Sequence, residues 1–452
     1  MTAPALSRLL RQFETTQWQS PAALEVLQRE RLAQIAAHCE KHSAHFARRL
    51  AQAGMTSADL AAPQGLQKLS LLTRRDIQTA TDLYCDSVPQ TDMPVFETRT
   101  SGSTGEPVVT RRTAIGQLDW LATTMREHLW HNRDFTARVC VIRAGTPKPI
   151  RADNWGAPVQ LLFESGPSLG LPINLDVTAH MQLIAAFRPQ FLIIYPNSLA
   201  ALARSSRDHG VRFPDLTQIL TMGETLSPET RALAEETFGA QIADMYSSQE
   251  LGTIALQCPQ SQLYHVMAEN LIVEVLNADG APCRDGETGR LVITDLRNTA
   301  TPLIRYDIGD YGEAGPLCPC GRGLPTLKRI LGRERNLILM PDGTRHWPLV
   351  GFHKFRDIAP VTQYQFIQHT REEIELRLVT ERPLTGENEE RLRKLVQKAL
   401  GHPFALRFVY FEDRIPPPPS GKFEEFVCLA GQQRTGLRYR AGFGQMPQKR
   451  RH

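Results

Sequence analysis

The sequence predicts a large N-terminal α/β domain, built from mixed sheets and helices, followed by a small α+β domain. Two patterns carry this prediction. Short apolar runs alternate with helical segments through most of the chain, which is typical of buried strands in an α/β sheet. In the last hundred residues, apolar residues alternate singly with charged ones on both sides of an amphipathic helix. A length of 452 residues is also too great for one ordinary core.

The elements of the large domain follow from these patterns in order. A helix is expected over residues 22–53, where Leu24, Leu32 and Ile35 recur at helical spacing. Ser227-Pro228 is a good helix start and Gly239 a natural stop, after which a strand leads to Tyr246. Buried strands are predicted at the short apolar runs, which are Val139–Ile142, Phe191–Tyr195, Ile219–Met222 and Leu271–Val275.

The small domain is predicted as strand, helix and strand. Ile374, Leu376 and Leu378 alternate with charged residues, a helix then ends at Gly401, and a second alternating strand covers 404–410. The change of pattern near Gly332–Asn336 suggests the boundary. We therefore expect a large domain over 1–333 with a helical N-terminal segment, a small domain over 334–428 and a disordered basic tail over 429–452.

Composition excludes several classes of function. The net charge of +4 is small for this length and argues against a dedicated nucleic-acid binder. The sequence has no run of eighteen apolar residues and no secretory signal pattern, so we expect no membrane span and a cytoplasmic location. In that compartment the eight cysteines are thiols or metal ligands rather than disulfides.

The strongest local motif is Thr100–Pro107, in which Ser101, Gly102, Ser103, Thr104 and Gly105 form a hydroxyl-rich, flexible loop. The backbone N–H groups of such a loop can bind a polyphosphate. It is not a Walker loop, because no Gly-Lys-Ser/Thr closes it, and its glycine spacing differs from the dinucleotide fingerprint. A plain linker is the alternative interpretation.

Two further segments offer nucleotide-binding groups. In Tyr246–Glu250, an aromatic ring can cover a purine and a carboxylate can hold Mg²⁺. Asp310 stands at a glycine turn, where it could accept hydrogen bonds from ribose hydroxyls, and Arg333 could bridge ribose or phosphate oxygens. The alternatives are a polar loop, an Asp-stabilised turn and a surface arginine.

Ser420-Gly421-Lys422 follows four prolines near the end of the small domain. The prolines stiffen the approach, and the glycine allows a tight turn that can direct Lys422 into a cleft. A lysine on a turn is more often simply exposed to solvent.

Cys258, His265, Cys318 and Cys320 are spaced as Cys-x₆-His and Cys-x-Cys. Three thiolates and one imidazole suit a closed tetrahedral Zn²⁺ site, which is structural rather than catalytic. The spacing is not that of a standard zinc finger, and free cysteines in turns are the alternative. The other five cysteines show no such grouping.

The order of these motifs resembles the adenylate-forming acyl- and aryl-CoA synthetase superfamily, over roughly residues 65–425. Segments such as MGETLSPE, PLIRYDIGD, CPCGRG and ILGRERNLI are similar to its phenylacetate–CoA ligase-like branch. The resemblance implies the adenylate-forming enzyme fold, with a small domain that acts as a lid. It also implies ATP-dependent activation of a carboxylic acid, aromatic in this branch, through an acyl-adenylate. Transfer to coenzyme A then completes the reaction.

The resemblance also assigns roles to residues of this chain. Ser101–Gly105 would hold the β- and γ-phosphates and Glu250 the Mg²⁺ ion, while Lys422 would stabilise charge at the α-phosphate. The nucleotide would be held by residues of several motifs, listed as Gly223, Glu224, Tyr246, Ser247, Gln249, Asp310 and Arg333. Arg335 matches the family's hinge, about which the small domain rotates between half-reactions.

The chain departs from the family pattern near the phosphate loop and the tyrosine. Glu106 and Val108 stand where relatives have a lysine, so Arg111 or Arg112 is expected to supply that charge. Ser247 and Gln249 replace the usual glycine and threonine, and Gln249 still offers a hydrogen-bond donor toward the AMP phosphate.

The sequence leaves the acid, the acceptor and the oligomeric state open, with a homodimer among the alternatives. The acid pocket is expected around Tyr195–Asn197, Gly223–Glu224 and Met245–Ser247. The acyl group could instead pass to the pantetheine of an acyl carrier protein or to an amine, as in secondary-metabolite or polysaccharide biosynthesis. The third alternative is a non-catalytic nucleotide-binding scaffold, against which the presence of both Lys422 and Glu250 argues.

Overall fold

The computed structural model describes residues 2–100, 107–333, 336–346, 355–412, 415–416 and 424–430. These residues fall into two compact units. The described residues up to 333 form the first unit, and those from 336 onward form the second. No helix in the described ranges is long and apolar enough to cross a membrane.

The first unit begins with helices, and the predicted single helix over residues 22–53 is wrong. The helix is interrupted at Ser43, where the backbone is extended. The Ser43 hydroxyl caps the next helix by accepting from the Phe46 N–H at 3.3 Å. The same hydroxyl donates to the Leu83 carbonyl at 2.6 Å. The six α-helices observed before the first strand are α1 (Ala3–Thr16), α2 (Pro21–His42), α3 (Ala44–Gln52), α4 (Ser57–Ala61), α5 (Gly65–Lys68) and α6 (Arg74–Thr79).

A two-stranded antiparallel ribbon of β1 (Val95–Arg99) and β2 (Val109–Thr113) comes next, followed by α7 (Ala114–Trp130). Strands and helices then alternate, as the sequence predicted. The successive elements are β3 (Val139–Arg143), β4 (Ile150–Ala152), β5 (Ser168–Pro172), α8 (Val177–Phe187), β6 (Phe191–Ile194), α9 (Pro196–Asp208), β7 (Gln218–Met222), α10 (Pro228–Phe238) and β8 (Gln241–Ser248).

The rest of the first unit is made of strands. They are β9 (Gly252–Gln257), β10 (Tyr264–Val266), β11 (Leu271–Leu276), β12 (Thr288–Asp295), β13 (Tyr306–Gly315) and β14 (Thr326–Arg333). Among the described residues, twelve strands join in one sheet in the order β11-β12-β13-β14-β10-β9-β8-β7-β6-β3-β5-β4. The predicted α/β class with a mixed sheet is therefore confirmed.

Strand β8 is where this sheet changes character. It pairs in parallel with β7 and antiparallel with β9. On one side, β5, β3, β6 and β7 are parallel, with α8, α9 and α10 packed against their apolar residues. On the other side every pairing is antiparallel. Such a change of direction leaves strand ends and turns side by side, where ligand sites commonly lie.

Helix α10 shows why the local sequence rules worked here. The Ser227 hydroxyl accepts from the Thr230 N–H at 3.1 Å, Pro228 occupies the first helical position, and Gly239 ends the helix with φ +64°. The strand that follows runs through Tyr246, as predicted.

The second unit has a four-stranded sheet with the order β19-β18-β17-β20 among the described residues. The predicted strand, helix and strand are present, but the sequence did not indicate β17 and β20. Phe366, Leu376 and Leu392 meet in its core. The elements are β15 (Ile338–Leu339), β16 (Arg345–His346), α11 (Phe355–Ile358), β17 (Val361–Gln368), β18 (Glu373–Thr380), α12 (Gly386–Leu400), β19 (Ala405–Phe411) and β20 (Phe426–Cys428).

Candidate active site

Tyr246 and Asp310 meet directly in the large sheet. The Tyr246 hydroxyl donates to Asp310 Oδ2 at 2.7 Å, and Arg333 Nε lies 3.5 Å from Asp310 Oδ1. Asp310 and Arg333 face each other across β13 and β14. Burial raises the pKa of Tyr246, and the adjacent Asp310 carboxylate raises it further, so the phenol stays a hydrogen-bond donor. Three predicted nucleotide-binding residues thus share one hydrogen-bonded cluster.

Most of the two segments that carry Tyr246 and Asp310 lies in strands. Tyr246 and Ser247 lie within β8, and only Gln249 and Glu250 belong to the turn that leads to β9. Asp310 lies within β13 rather than on a free glycine turn. A local irregularity does exist there, because Gly309 has φ +81° and the pairing of β13 with β14 shifts just beyond Tyr311. The interpretation of Asp310 as part of a turn was therefore wrong.

Glu250 is buried at 6% exposure and faces a residue that the sequence analysis did not identify. Its Oε1 lies 3.6 Å from Nη1 of Arg74, at the start of α6. One local signal was available, since Thr73 and Asp76 form a capping box whose pattern predicts a helix start. That pattern gives the helix but not its neighbour, because Arg74 and Glu250 are distant in sequence. The Glu250 carboxylate is the oxygen ligand here that suits Mg²⁺.

Gly223 and Glu224 follow the end of β7, and Tyr195 follows the end of the adjacent parallel strand β6. A side chain at Gly223, which has φ +78°, would come within 2.9 Å of the Tyr195 ring. The Glu224 carboxylate accepts from the Asn197 N–H at 3.1 Å, and the Tyr195 hydroxyl accepts from the Ala144 N–H at 3.4 Å. The segments expected to form the acid pocket therefore meet at the ends of β6, β7 and β8.

The phosphate-loop residues Ser101–Gly105, with Glu106, lie outside the described residues, and so do Arg335 and Lys422. The flanks of the loop are described. Thr100 and Val108 exchange two hydrogen bonds: the Thr100 N–H donates to the Val108 carbonyl, and the Val108 N–H donates to the Thr100 hydroxyl, both at 2.9 Å. The β1–β2 ribbon thus closes at Thr100 and Val108.

The two arginines expected to replace the missing lysine have other partners. The Arg111 guanidinium carbon lies 4.4 Å from the centre of the Tyr84 ring. Arg112 Nη2 donates to the Gln249 carbonyl at 2.9 Å, which holds the turn before Glu250.

The Cys/His cluster is assembled as its spacing suggested. The ligand atoms of Cys258, His265, Cys318 and Cys320 all lie within 4.8 Å of one another. Cys258 follows β9, His265 is on β10, and the other two lie between β13 and β14. Burial lowers the pKa of His265 to about 4, which keeps its imidazole neutral. One neutral imidazole and three sulfurs this close together are a donor set that fits Zn²⁺.

Comparison with known proteins gives matches over both units. The family described as AMP-binding enzyme matches residues 26–298, and the one described as CapK C-terminal domain matches residues 351–428. Phenylacetate-coenzyme A ligase of Thermus thermophilus is 25% identical over 338 residues, which are 70% of this chain and 72% of that protein. The phenylacetate-coenzyme A ligase of Escherichia coli is also 25% identical, over 337 residues and the same shares.

A similar fold occurs among solved structures. A 2-hydroxyisobutyryl-CoA ligase, in its postadenylation state with 2-HIB-AMP, superposes with a TM-score of 0.71 at 20% identity. The superposition covers 89% of this chain and 88% of that one. An anthranilate CoA ligase in complex with anthranoyl-AMP gives a TM-score of 0.52 at 13% identity, over 72% and 65% of the two chains.

Proposed function

Because this chain belongs to the family of AMP-binding enzymes, we propose that it activates a carboxylic acid with ATP and passes the acyl group to coenzyme A. In the first half-reaction, a carboxylate oxygen bonds to the α-phosphorus while the bond from that phosphorus to the pyrophosphate oxygen breaks. In the second, the thiol sulfur bonds to the acyl carbon and the bond from that carbon to the phosphate oxygen breaks. AMP leaves with this oxygen and the electron pair of the bond, and the thiol proton passes to solvent. The convergence of Tyr246, Asp310 and Arg333 carries this proposal.

The residues of that cluster fit the adenosine of the nucleotide. Asp310 accepts hydrogen bonds from the ribose hydroxyls, beside the Arg333 guanidinium. The Tyr246 ring covers the adenine, and its bond to Asp310 fixes the ring's position. Gly223 and Glu224 lie on the adjacent strand end and complete the adenosine site.

The phosphates require charge neutralisation and positioning more than covalent help. We assign the β- and γ-phosphates to Ser101–Gly105, and Glu250 would hold Mg²⁺, which neutralises phosphate charge when bound. The Gln249 side chain donates to the AMP phosphate, and Ser247 lies beside that phosphate. Lys422 stabilises the charge that develops as the carboxylate attacks. Rotation of the small domain about Arg335 would withdraw Lys422 before the thiol step.

An aromatic acid is our proposed substrate class. Two relatives are phenylacetate-coenzyme A ligases, and the Tyr195 ring packed on Gly223 offers a flat wall beside the predicted pocket.

The proposal is tested by measuring pyrophosphate release from ATP and Mg²⁺ across aryl and alkyl carboxylic acids, with and without coenzyme A. Release that depends on an aromatic acid, and an acyl-CoA product when coenzyme A is present, are expected. Release that depends only on alkyl acids would refute the substrate class. Intact ATP binding with no release for any acid would favour the scaffold alternative.

An acyl carrier protein or an amine is the alternative acceptor that the sequence leaves open. Acid-dependent pyrophosphate release without any acyl-CoA product would select it, and acylation of an added pantetheine-bearing carrier protein would identify thiol transfer.

We also propose that the Cys/His cluster binds a structural Zn²⁺ ion. Replacing Cys318 with serine is expected to reduce bound zinc from one equivalent to near zero, because serine oxygen is a poor ligand beside two thiolates. Metal analysis of the purified protein measures this. Cys283→Ser is the matched control, since Cys283 is half-buried and lies outside the cluster. Unchanged zinc in Cys318→Ser, or no zinc in the unaltered protein, would refute the site.

A further inference from the structure

Arg74 contacts both Thr100 and the candidate magnesium ligand Glu250. Its Nη2 donates to the Thr100 hydroxyl at 3.2 Å, and its Nη1 lies 3.6 Å from Glu250 Oε1. Thr100 immediately precedes Ser101–Gly105. One guanidinium therefore contacts both the base of the loop and the carboxylate assigned to Mg²⁺.

Two buried polar atoms in this region have no hydrogen-bond partner among the described residues. They are Nε of Arg74 and the hydroxyl of Tyr306, whose side chain is fully buried. Buried polar atoms are almost always paired in native proteins, so unpaired ones suggest a bound group or water. Burial raises the pKa of Tyr306, and the nearby Glu250 carboxylate raises it further, so this phenol is a donor. Both atoms are hydrogen-bond donors without an acceptor among the described residues.

The positions of the positively charged side chains also favour a phosphate near Arg74. The chain has no lysine directly after the loop. The Arg111 guanidinium lies over the Tyr84 ring, and the Arg112 guanidinium donates to the Gln249 carbonyl and also interacts electrostatically with Glu250. Arg74 is the arginine that contacts the loop's base. A guanidinium presents two parallel N–H groups, which match two oxygens of a phosphate better than an ammonium does.

We propose that Arg74 binds the β- and γ-phosphates of the nucleoside triphosphate, and that in the empty site it neutralises Glu250. Ligand binding exchanges the Arg74–Glu250 ion pair for an Arg74–phosphate pair, which leaves the Glu250 carboxylate to the accompanying cation. This inference rests on the proposed function in taking ATP as the ligand. It assigns Arg74 a role that AMP cannot engage, because AMP lacks the outer phosphates.

The test compares the binding of ATP with Mg²⁺ and of AMP by calorimetry, without any acid substrate. Arg74→Gln is expected to weaken ATP binding by at least about tenfold, the usual effect of losing a hydrogen bond to a charged group, and to change AMP binding by less than about twofold. Arg75→Gln is the matched control, because Arg75 is the exposed neighbour with the same charge on the same helix. Asp310→Ala is the comparison that should weaken ATP and AMP alike.

Equal weakening of ATP and AMP in Arg74→Gln would show a merely structural role and overturn the inference, as would unchanged ATP binding. If Arg74→Gln does not fold, Arg74→Lys is the second variant. It keeps a positive charge beside Glu250 but lacks the two parallel N–H groups of arginine. A selective loss of ATP affinity is expected there too, and its absence would overturn the inference. Failure of the proposed function is separate: if no acid supports pyrophosphate release, the selective ATP effect in Arg74→Gln still establishes the phosphate contact.

Discussion

Lys422→Ala is expected to abolish acid-dependent pyrophosphate release while leaving the thiol step largely intact. Removing one preorganised donor from a developing charge commonly lowers the rate by about 10²–10³-fold. Lys422→Ala removes a full positive charge from the α-phosphate, so we expect at least that loss. The thiol step meets an acyl-adenylate that is already formed. In the proposed cycle, Lys422 has left the site by then.

Two assays separate the half-reactions. Pyrophosphate release measures adenylation, and acyl-CoA formation from supplied acyl-AMP measures the thiol step. Lys398→Ala is the matched control, because Lys398 is an exposed lysine on α12. Loss of both half-reactions in a folded Lys422→Ala protein would contradict the assigned role, and so would full retention of adenylation.

The fold could be predicted as far as local patterns reach. The runs at Ile219–Met222 and Leu271–Val275 form strands β7 and β11, as predicted. β7 is mostly buried, whereas β11 is buried only at its two ends and half-buried between them. The α12 helix was predicted from its apolar face and from Gly401, which ends it in the structure. The end of α2 at Ser43 was not predicted, because the periodicity of apolar residues continues across it. What ends α2 there includes the bond from the Ser43 hydroxyl to Leu83, which is a contact between distant parts of the chain.

The candidate site shows the same limit. Motif order identified Tyr246, Asp310 and Arg333, and the structure brings them into one cluster. Arg74 was missed because its significance depends on Glu250, which only the folded sheet brings near it. The roles of Ser101–Gly105 and Lys422 stay predictions, as do the domain limits, the cytoplasmic location and the homodimer.

A buried ion pair joins the N-terminal helices to the large sheet. Glu269 is fully buried and receives two bonds from Arg126 of α7, Nη2 to Oε1 at 2.6 Å and Nη1 to Oε2 at 3.1 Å. The Thr16 hydroxyl of α1 donates to the same carboxylate at 2.6 Å. Burial alone would raise the pKa of Glu269, but the Arg126 guanidinium outweighs it and the pKa is lowered.

Glu269→Ala is therefore expected to destabilise the protein by about 3–5 kcal/mol, because it leaves the Arg126 charge buried without its partner. Chemical denaturation followed by tryptophan fluorescence measures this, and Trp130 is a local reporter 5.5 Å from the Arg126 guanidinium carbon. Replacing both partners with leucine should recover most of the loss, since neither charge then remains. Asp82→Ala, which breaks the exposed pair with Arg48, is the matched control and should shift the midpoint much less.

The pH dependence gives an independent check on the same pair. A carboxyl group whose pKa is lowered in the folded state stabilises the protein above its unfolded pKa, and that contribution is lost as pH falls through the folded pKa. The stability difference between the unaltered protein and Glu269→Ala should therefore be constant near neutral pH and shrink as the solution becomes acidic. A difference that grows on acidification would show that Glu269 is protonated in the folded protein, and that the ion pair with Arg126 does not stabilise this junction.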